Sequence, residues 1–126
     1  MKARSRTAKL RWLAVAVYAG AIFAMSSIPG RAMPPAPMLS LDKVVHFVIF
    51  LGLGAVVAWA WTRTWPAILA CAAYGALDEV HQRFTPGRSV EIGDFIADAA
   101  GAAVGALLIL LIQRYRSKNN GADPQV

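Results

Sequence analysis

The chain has 126 residues, of which 57% are hydrophobic and 16% charged, and its formal net charge is +6. That much apolar surface with so little charge excludes a soluble globular domain and points to lipid as the solvent. The excess Lys and Arg lie at the ends of apolar runs instead of forming one patch or stripe, so they read as topology signals and no nucleic-acid partner is expected.

The first apolar run, Leu10 to Ile28, follows Lys2, Arg4, Arg6, Lys9 and Arg11. It is long enough to cross about 30 Å of hydrocarbon, and longer than the roughly 7–15 apolar residues of a cleaved signal peptide, so it is expected to stay as a membrane helix. Ser26, Ser27, Ile28, Pro29 and Gly30 then break the helix, and Pro34, Pro35 and Pro37 continue a loop that belongs outside the bilayer core. The serines here are expected as helix-end caps.

A second run begins near Asp42 and ends at Trp61, where Trp59, Trp61 and Trp65 gather as indoles do at a membrane interface. Arg63 marks a very short turn. The third run, Trp65 to Val80, is rich in Ala and closes on Asp78, Glu79, His81, Gln82 and Arg83, which suit the exit from the bilayer. Pro86 and Gly87 signal a turn. The fourth run starts at Asp94, carries a Gly101/Gly105 small-residue stripe extended by Ala97, and stops at Arg114, Arg116 and Lys118. The remaining tail is polar and expected to be disordered. Whether the glycine stripe packs within the chain or between protomers is left open, and the oligomeric state with it.

The fold class is therefore all-α, an integral membrane four-helix bundle. Lys2, Arg4, Arg6, Lys9, Arg11, Arg63, Arg114, Arg116 and Lys118 fall on one side of it; Arg31, Lys43, Arg83 and Arg88 fall on the other. The richer side is cytoplasmic by the positive-inside rule, which places both termini in the cytoplasm and the two polar loops outside. Apart from Asp123, every carboxylate then lies near the outer side: Asp42, Asp78, Glu79, Glu91, Asp94 and Asp98, with His46 and His81. Asp42 and His46 share a helix face, as do Asp78 and Gln82, and Asp94 and Asp98. His46 and Asp98 sit a turn deeper than Asp42 and Asp94, so both should turn toward the bundle interior.

Two readings fit this cluster. In one, Asp42, Asp78, Glu79 and Asp94 pair with Lys43, Arg83 and Arg88 to fix helix register. In the other, intramembrane ionisable groups build a binding pocket in which the planar fork of Arg88 holds a phosphate or carboxylate. His46, His81, Asp78, Glu79 and Asp94 carry metal-donor atoms, but their spacing matches no compact zinc motif, and no metal or cofactor is assigned. Ser26, Ser27 and Ser89 lie in no nucleophile-elbow pattern. Cys71, the single cysteine, falls in an apolar run and reads as a packing residue.

The stretches DKVVHF (Asp42 to Phe47), LDEVHQRFTPGRS (Leu77 to Ser89) and GDFIADAAGAAVG (Gly93 to Gly105), with SSIPG after the first helix, resemble the VanZ-like family of small membrane proteins. The resemblance runs from the first helix to the fourth. It implies a VanZ-like four-helix transmembrane domain over residues 1–113 and a polar cytoplasmic tail over 114–126, in a multi-pass protein of the bacterial inner or plasma membrane. The named member of the family is linked to low-level teicoplanin resistance. Carried over by position, the family pattern marks Asp42, Lys43, His46, Asp78, Glu79, Gln82, Arg88 and Asp94 as ligand-binding. Many relatives carry Asn where this chain has Asp98. The partners implied are membrane lipid and a lipid-linked envelope intermediate or a glycopeptide. Two alternatives stand beside this reading: a structural or regulatory membrane subunit whose polar cluster only locks helices, and a membrane enzyme with Glu79 or His46 as acid or base.

Overall fold

The computed structural model of the chain describes residues 2–33 and 39–120; Pro34, Pro35 and Pro37 of the first loop and the last six residues of the tail lie outside the described residues. Four helices, α1 (Lys2–Ser26), α2 (Leu39–Trp61), α3 (Thr64–Gln82) and α4 (Ile92–Asn120), and a single 3-10 turn at Gly30–Ala32 make up the fold, with no strand among the described residues. Three of the helices are long and apolar enough to cross a membrane: Arg6–Ser26, Leu41–Trp61 and Ile92–Asn120.

The third helix falls short of that measure for a reason written in its own residues. Its 19 residues carry Asp78, Glu79, His81 and Gln82 in the last five positions. Of these, Asp78, Glu79 and Gln82 are buried by the neighbouring helices. Lipid never meets those groups, so a polar end costs α3 nothing in lipid exposure.

The helices alternate in direction. Tyr18 of α1 donates to the Ile49 carbonyl of α2 at 2.9 Å, while Arg11 stacks over Trp59 with its guanidinium carbon 4.9 Å from the ring centre, so these two helices run antiparallel. Tyr74 of α3 donates to the Ala19 carbonyl at 2.6 Å and His81 stacks on Phe23, which makes α3 parallel to α1. The α2–α3 reversal takes two residues, and Thr62 adopts the left-handed conformation (φ 61°) to accomplish it, an uncommon backbone for a β-branched residue.

α2 and α4 are parallel, joined through α3, and are the most intimate pair. A Cβ on Gly101 would collide with the Phe47 carbonyl, and one on Gly105 with the Leu51 carbonyl. The small-residue stripe therefore works inside the chain, letting the backbones touch. Around this seam lie the few fully buried apolar groups, among them Phe50, Ala67, Cys71, Ala102 and Ala106. Much of the rest of the apolar surface is exposed: Val17, Leu69, Leu77 and Ile96 are all more than half accessible. In water such a surface would drive aggregation; facing hydrocarbon it is the solvated surface. α1 is the most peripheral helix, with only Ile22 and Ser26 buried among its described residues.

One local expectation is corrected. The fourth helix does not stop at Arg114 but continues, fully exposed, to Asn120. Basic residues mark where a helix leaves lipid, and Arg, Lys and Gln all support helix beyond that point. Ser26 and Ser27 stand at the end of α1, where their hydroxyls donate back to the carbonyls of Ile22 and Phe23 in its last turn.

Candidate functional site

The alternation of direction brings the C-terminal ends of α1 and α3 to the N-terminal ends of α2 and α4, and with them most of the acidic side chains. The connecting loops fasten this end. The Gly30 amide donates to the Pro86 carbonyl at 3.0 Å. Gly87 takes φ +75°, which only glycine adopts without strain, and its carbonyl lies where any Cβ on Gly30 would have to go. The Thr85 hydroxyl donates to the Ser26 carbonyl at 3.3 Å, stitching the loop after α3 to the end of α1.

Beneath the loops, Lys43 on α2 reaches two carboxylates, Glu91 just before α4 at 2.7 Å and Asp94 in its first turn at 3.0 Å. Asp94 is buried, whereas Glu91 is partly exposed. One turn deeper, the Nδ1–H of His46 donates to Asp98 Oδ1 at 3.0 Å, and Asp98 has no exposure at all. On α3, the Gln82 amide donates to Asp78 Oδ2 at 3.0 Å across one helical turn. Depth and helix spacing thus produce three stacked contacts on three helices.

Arg88 and Arg83 do not pair with this cluster; among the described residues Lys43 is the only Lys or Arg in a salt bridge. The Arg88 guanidinium instead contacts the Met33 sulfur. His81 is also outside the cluster, since it stacks on Phe23 with ring centres 4.4 Å apart and its Nε2 meets the Ser27 hydroxyl at 3.0 Å. It locks α3 to α1. The expected network of Asp42, Asp78 and Glu79 with arginines is corrected accordingly: the arginines stay near the rim, Asp42 is exposed, and Asp78 and Glu79 turn inward.

The remaining buried acids are under-partnered. Asp78 Oδ1, both carboxylate oxygens of Glu79 and Asp98 Oδ2 are buried without a hydrogen-bond partner. Burying an anion in this way is costly unless a proton or a cation compensates it. Donor atoms of His46, Glu79 and Asp98 all lie within 4.8 Å of one another, as do those of Asp42, His46 and Asp94.

A cavity of about 60 Å³ opens between α1, α2 and α3 at this end. Its lining is mixed: the polar side chains of Asp42, His46, Asp78, Gln82 and Arg88 stand beside the apolar ones of Ile22, Met25, Val45, Ile49 and Phe50. Of the eight positions expected to bind ligand, these five line the cavity, and Lys43, Asp94 and Glu79 stand outside it. Lys43 and Asp94 form the α2–α4 ion pair. Sequence spacing passed over Asp98 as a site residue, although its position four residues after Asp94 on the inward face was the signal. Glu91, the second partner of Lys43, was also missed, because a residue just before a helix gives no facing direction.

A helical membrane protein of several spans, with a charged site buried at one end of its bundle, is the class that this architecture defines. Residues 3–113 match the VanZ/LLP1 family, and the chain belongs to that family. Neither the curated proteins nor the solved structures gave a match.

Proposed function

We propose that the polar end of the bundle faces outward and binds the charged head group of a cell-envelope component, such as a lipid-linked intermediate, in the membrane of a bacterium. The observation that carries this reading is the mixed lining of the cavity: Arg88, His46, Gln82 and two carboxylates stand among aliphatic and aromatic side chains. A lipid, with a charged head group joined to a hydrocarbon tail, offers groups for both kinds of side chain. Arg88 is the anion-binding element, since it lines the cavity and is free of carboxylate pairing among the described residues. The outward orientation rests on the distribution of Lys and Arg. Sequestering or altering such a component would lower the access of glycopeptides, including teicoplanin, to their target.

The test is glycopeptide susceptibility of a sensitised bacterial host expressing the wild-type chain, Arg88→Ala or Asp78→Asn. A charge-assisted hydrogen bond is worth about 1.5–3 kcal/mol, so Arg88→Ala should weaken binding by roughly 10- to 100-fold and restore susceptibility. Unchanged resistance at normal protein levels would remove the pocket from the mechanism.

A second reading, a structural or regulatory subunit working through a partner protein, is favoured by the Lys43 ion pair, which ties α2 to α4 without reaching the cavity. Reversing that pair (Lys43→Asp with Asp94→Lys) should leave activity intact under this reading.

A further inference from the structure

Four oxygens of buried carboxylates lack partners in this structure, and three of them belong to just two residues, Glu79 and Asp98. Glu79 is 5% exposed, Asp98 0%. Lys43 neutralises Glu91 and Asp94 instead, and no other lysine or arginine forms a salt bridge among the described residues. Apart from a loosely aligned main-chain amide of Glu91, Glu79 faces the bundle interior with nothing to hold. A carboxylate in that position calls for a proton or a cation.

We propose that His46, Glu79 and Asp98 form a binding site for one divalent first-row transition-metal ion. Each supplies one donor atom, and the three atoms already lie within 4.8 Å of one another. An ion bound at about 2.0–2.2 Å to each ligand holds its donors no more than about 4.4 Å apart, so a small rotation of Glu79 closes the set. One imidazole with two carboxylates is the donor mixture that suits zinc, manganese or iron, and a dication balances the two acids beside a neutral histidine. The ion takes the place of the proton between His46 Nδ1 and Asp98, and that proton moves to Nε2, so the histidine stays neutral.

The surroundings favour this position over its neighbour. Gly75 on α3 leaves room beside Asp98, where a Cβ would stand 3.4 Å from the unpartnered Oδ2, and the Phe50 ring covers the same spot. An apolar wall of this kind strengthens binding and excludes water. The second set of donors, Asp42, His46 and Asp94, is poorer: Asp42 is exposed, and Asp94 is already held by Lys43, whose ammonium repels a dication. The ligands come from three helices, which is why no spacing motif announces them.

The experiment uses the full chain in detergent, stripped with a chelator and titrated with Co²⁺, followed by its visible absorption, and with Zn²⁺, followed by calorimetry. The wild type should bind one ion per chain. Glu79→Gln and Asp98→Asn should each lower affinity by about tenfold or more, at least the loss produced by removing a supporting group around a metal. Asp42→Asn should stay within twofold of wild type. Circular dichroism and elution as a single species establish that each variant is folded. Should Asp98→Asn fail that check, Glu79→Gln decides the matter, because its carboxylate bonds to no other side chain. A wild type that takes up no ion, meaning that protons alone neutralise these acids, would overturn the proposal. So would Glu79→Gln binding as tightly as wild type, or Asp42→Asn losing the ion. None of these readouts depends on glycopeptide susceptibility, so the metal site stands or falls apart from the head-group pocket.

Discussion

Lys43 is the side chain whose loss should be felt most directly, because among the described residues it is the only ammonium that reaches the buried Asp94. Removing one partner of a buried pair strands the other, whereas removing both leaves nothing to compensate. Lys43→Gln should lower the melting temperature in detergent, and the double variant Lys43→Gln with Asp94→Asn should recover part of the loss. A melting temperature equal to wild type for the single variant would show that Asp94 does not need the pair. The same logic explains what the sequence revealed at this scale. The acids at Asp42, Asp78, Glu79 and Asp94 were legible because a charge inside a run of lipid-soluble residues demands a reason. What each one touches was not, since Arg88 and Lys43 carry the same sign and only the fold brings Lys43 to α4 and leaves Arg88 beside Met33.

At the scale of helices, the α2–α4 seam is where backbone meets backbone. Gly105→Ala places its Cβ against the Leu51 carbonyl, and overpacking of this type costs about 1–3 kcal/mol. The variant should melt earlier than wild type in a thermal scan, while Gly20→Ala, which meets nothing within 4 Å, should be neutral or slightly stabilising. Equal stability of Gly105→Ala and wild type would mean that the helices sit farther apart. The stripe on α4 could be read in advance because its glycines are spaced by one turn. Its partner could not, because spacing says where a helix can be approached and not by what. Gly54 on α2, opposite the Ala102 carbonyl, completes the seam from the other side and carried no pattern of its own. The end of α4 was misjudged because a cluster of cations reports the edge of lipid, and the peptide backbone is free to stay helical past it.

For the whole molecule, the number of helices and the gathering of acids at one end followed from hydropathy and charge alone, since lipid leaves a chain so few options. The shortfall of α3 was not foreseen: a helix lined by buried polar side chains fails a measure of apolarity while still lying among helices that pass it. Orientation is testable directly. With Cys71 buried, intact cells carrying the wild-type chain should take up no membrane-impermeant maleimide. Arg88→Cys should label from outside and Arg63→Cys only after the membrane is opened. Labelling of both from one side would invalidate the alternating arrangement and the outward placement of the cavity.

The seam also dictates an order of assembly. His46 and Asp98 are 52 positions apart, Lys43 and Asp94 are 51, and the face of the second helix that carries His46 and Lys43 has no partner on the fourth until the fourth has been made. During synthesis the nascent chain must therefore carry a half-finished bundle with Lys43 unneutralised and Gly54 facing lipid. A product cut short before Glu91 would keep those defects permanently, marking it for the proteases that clear misassembled membrane chains.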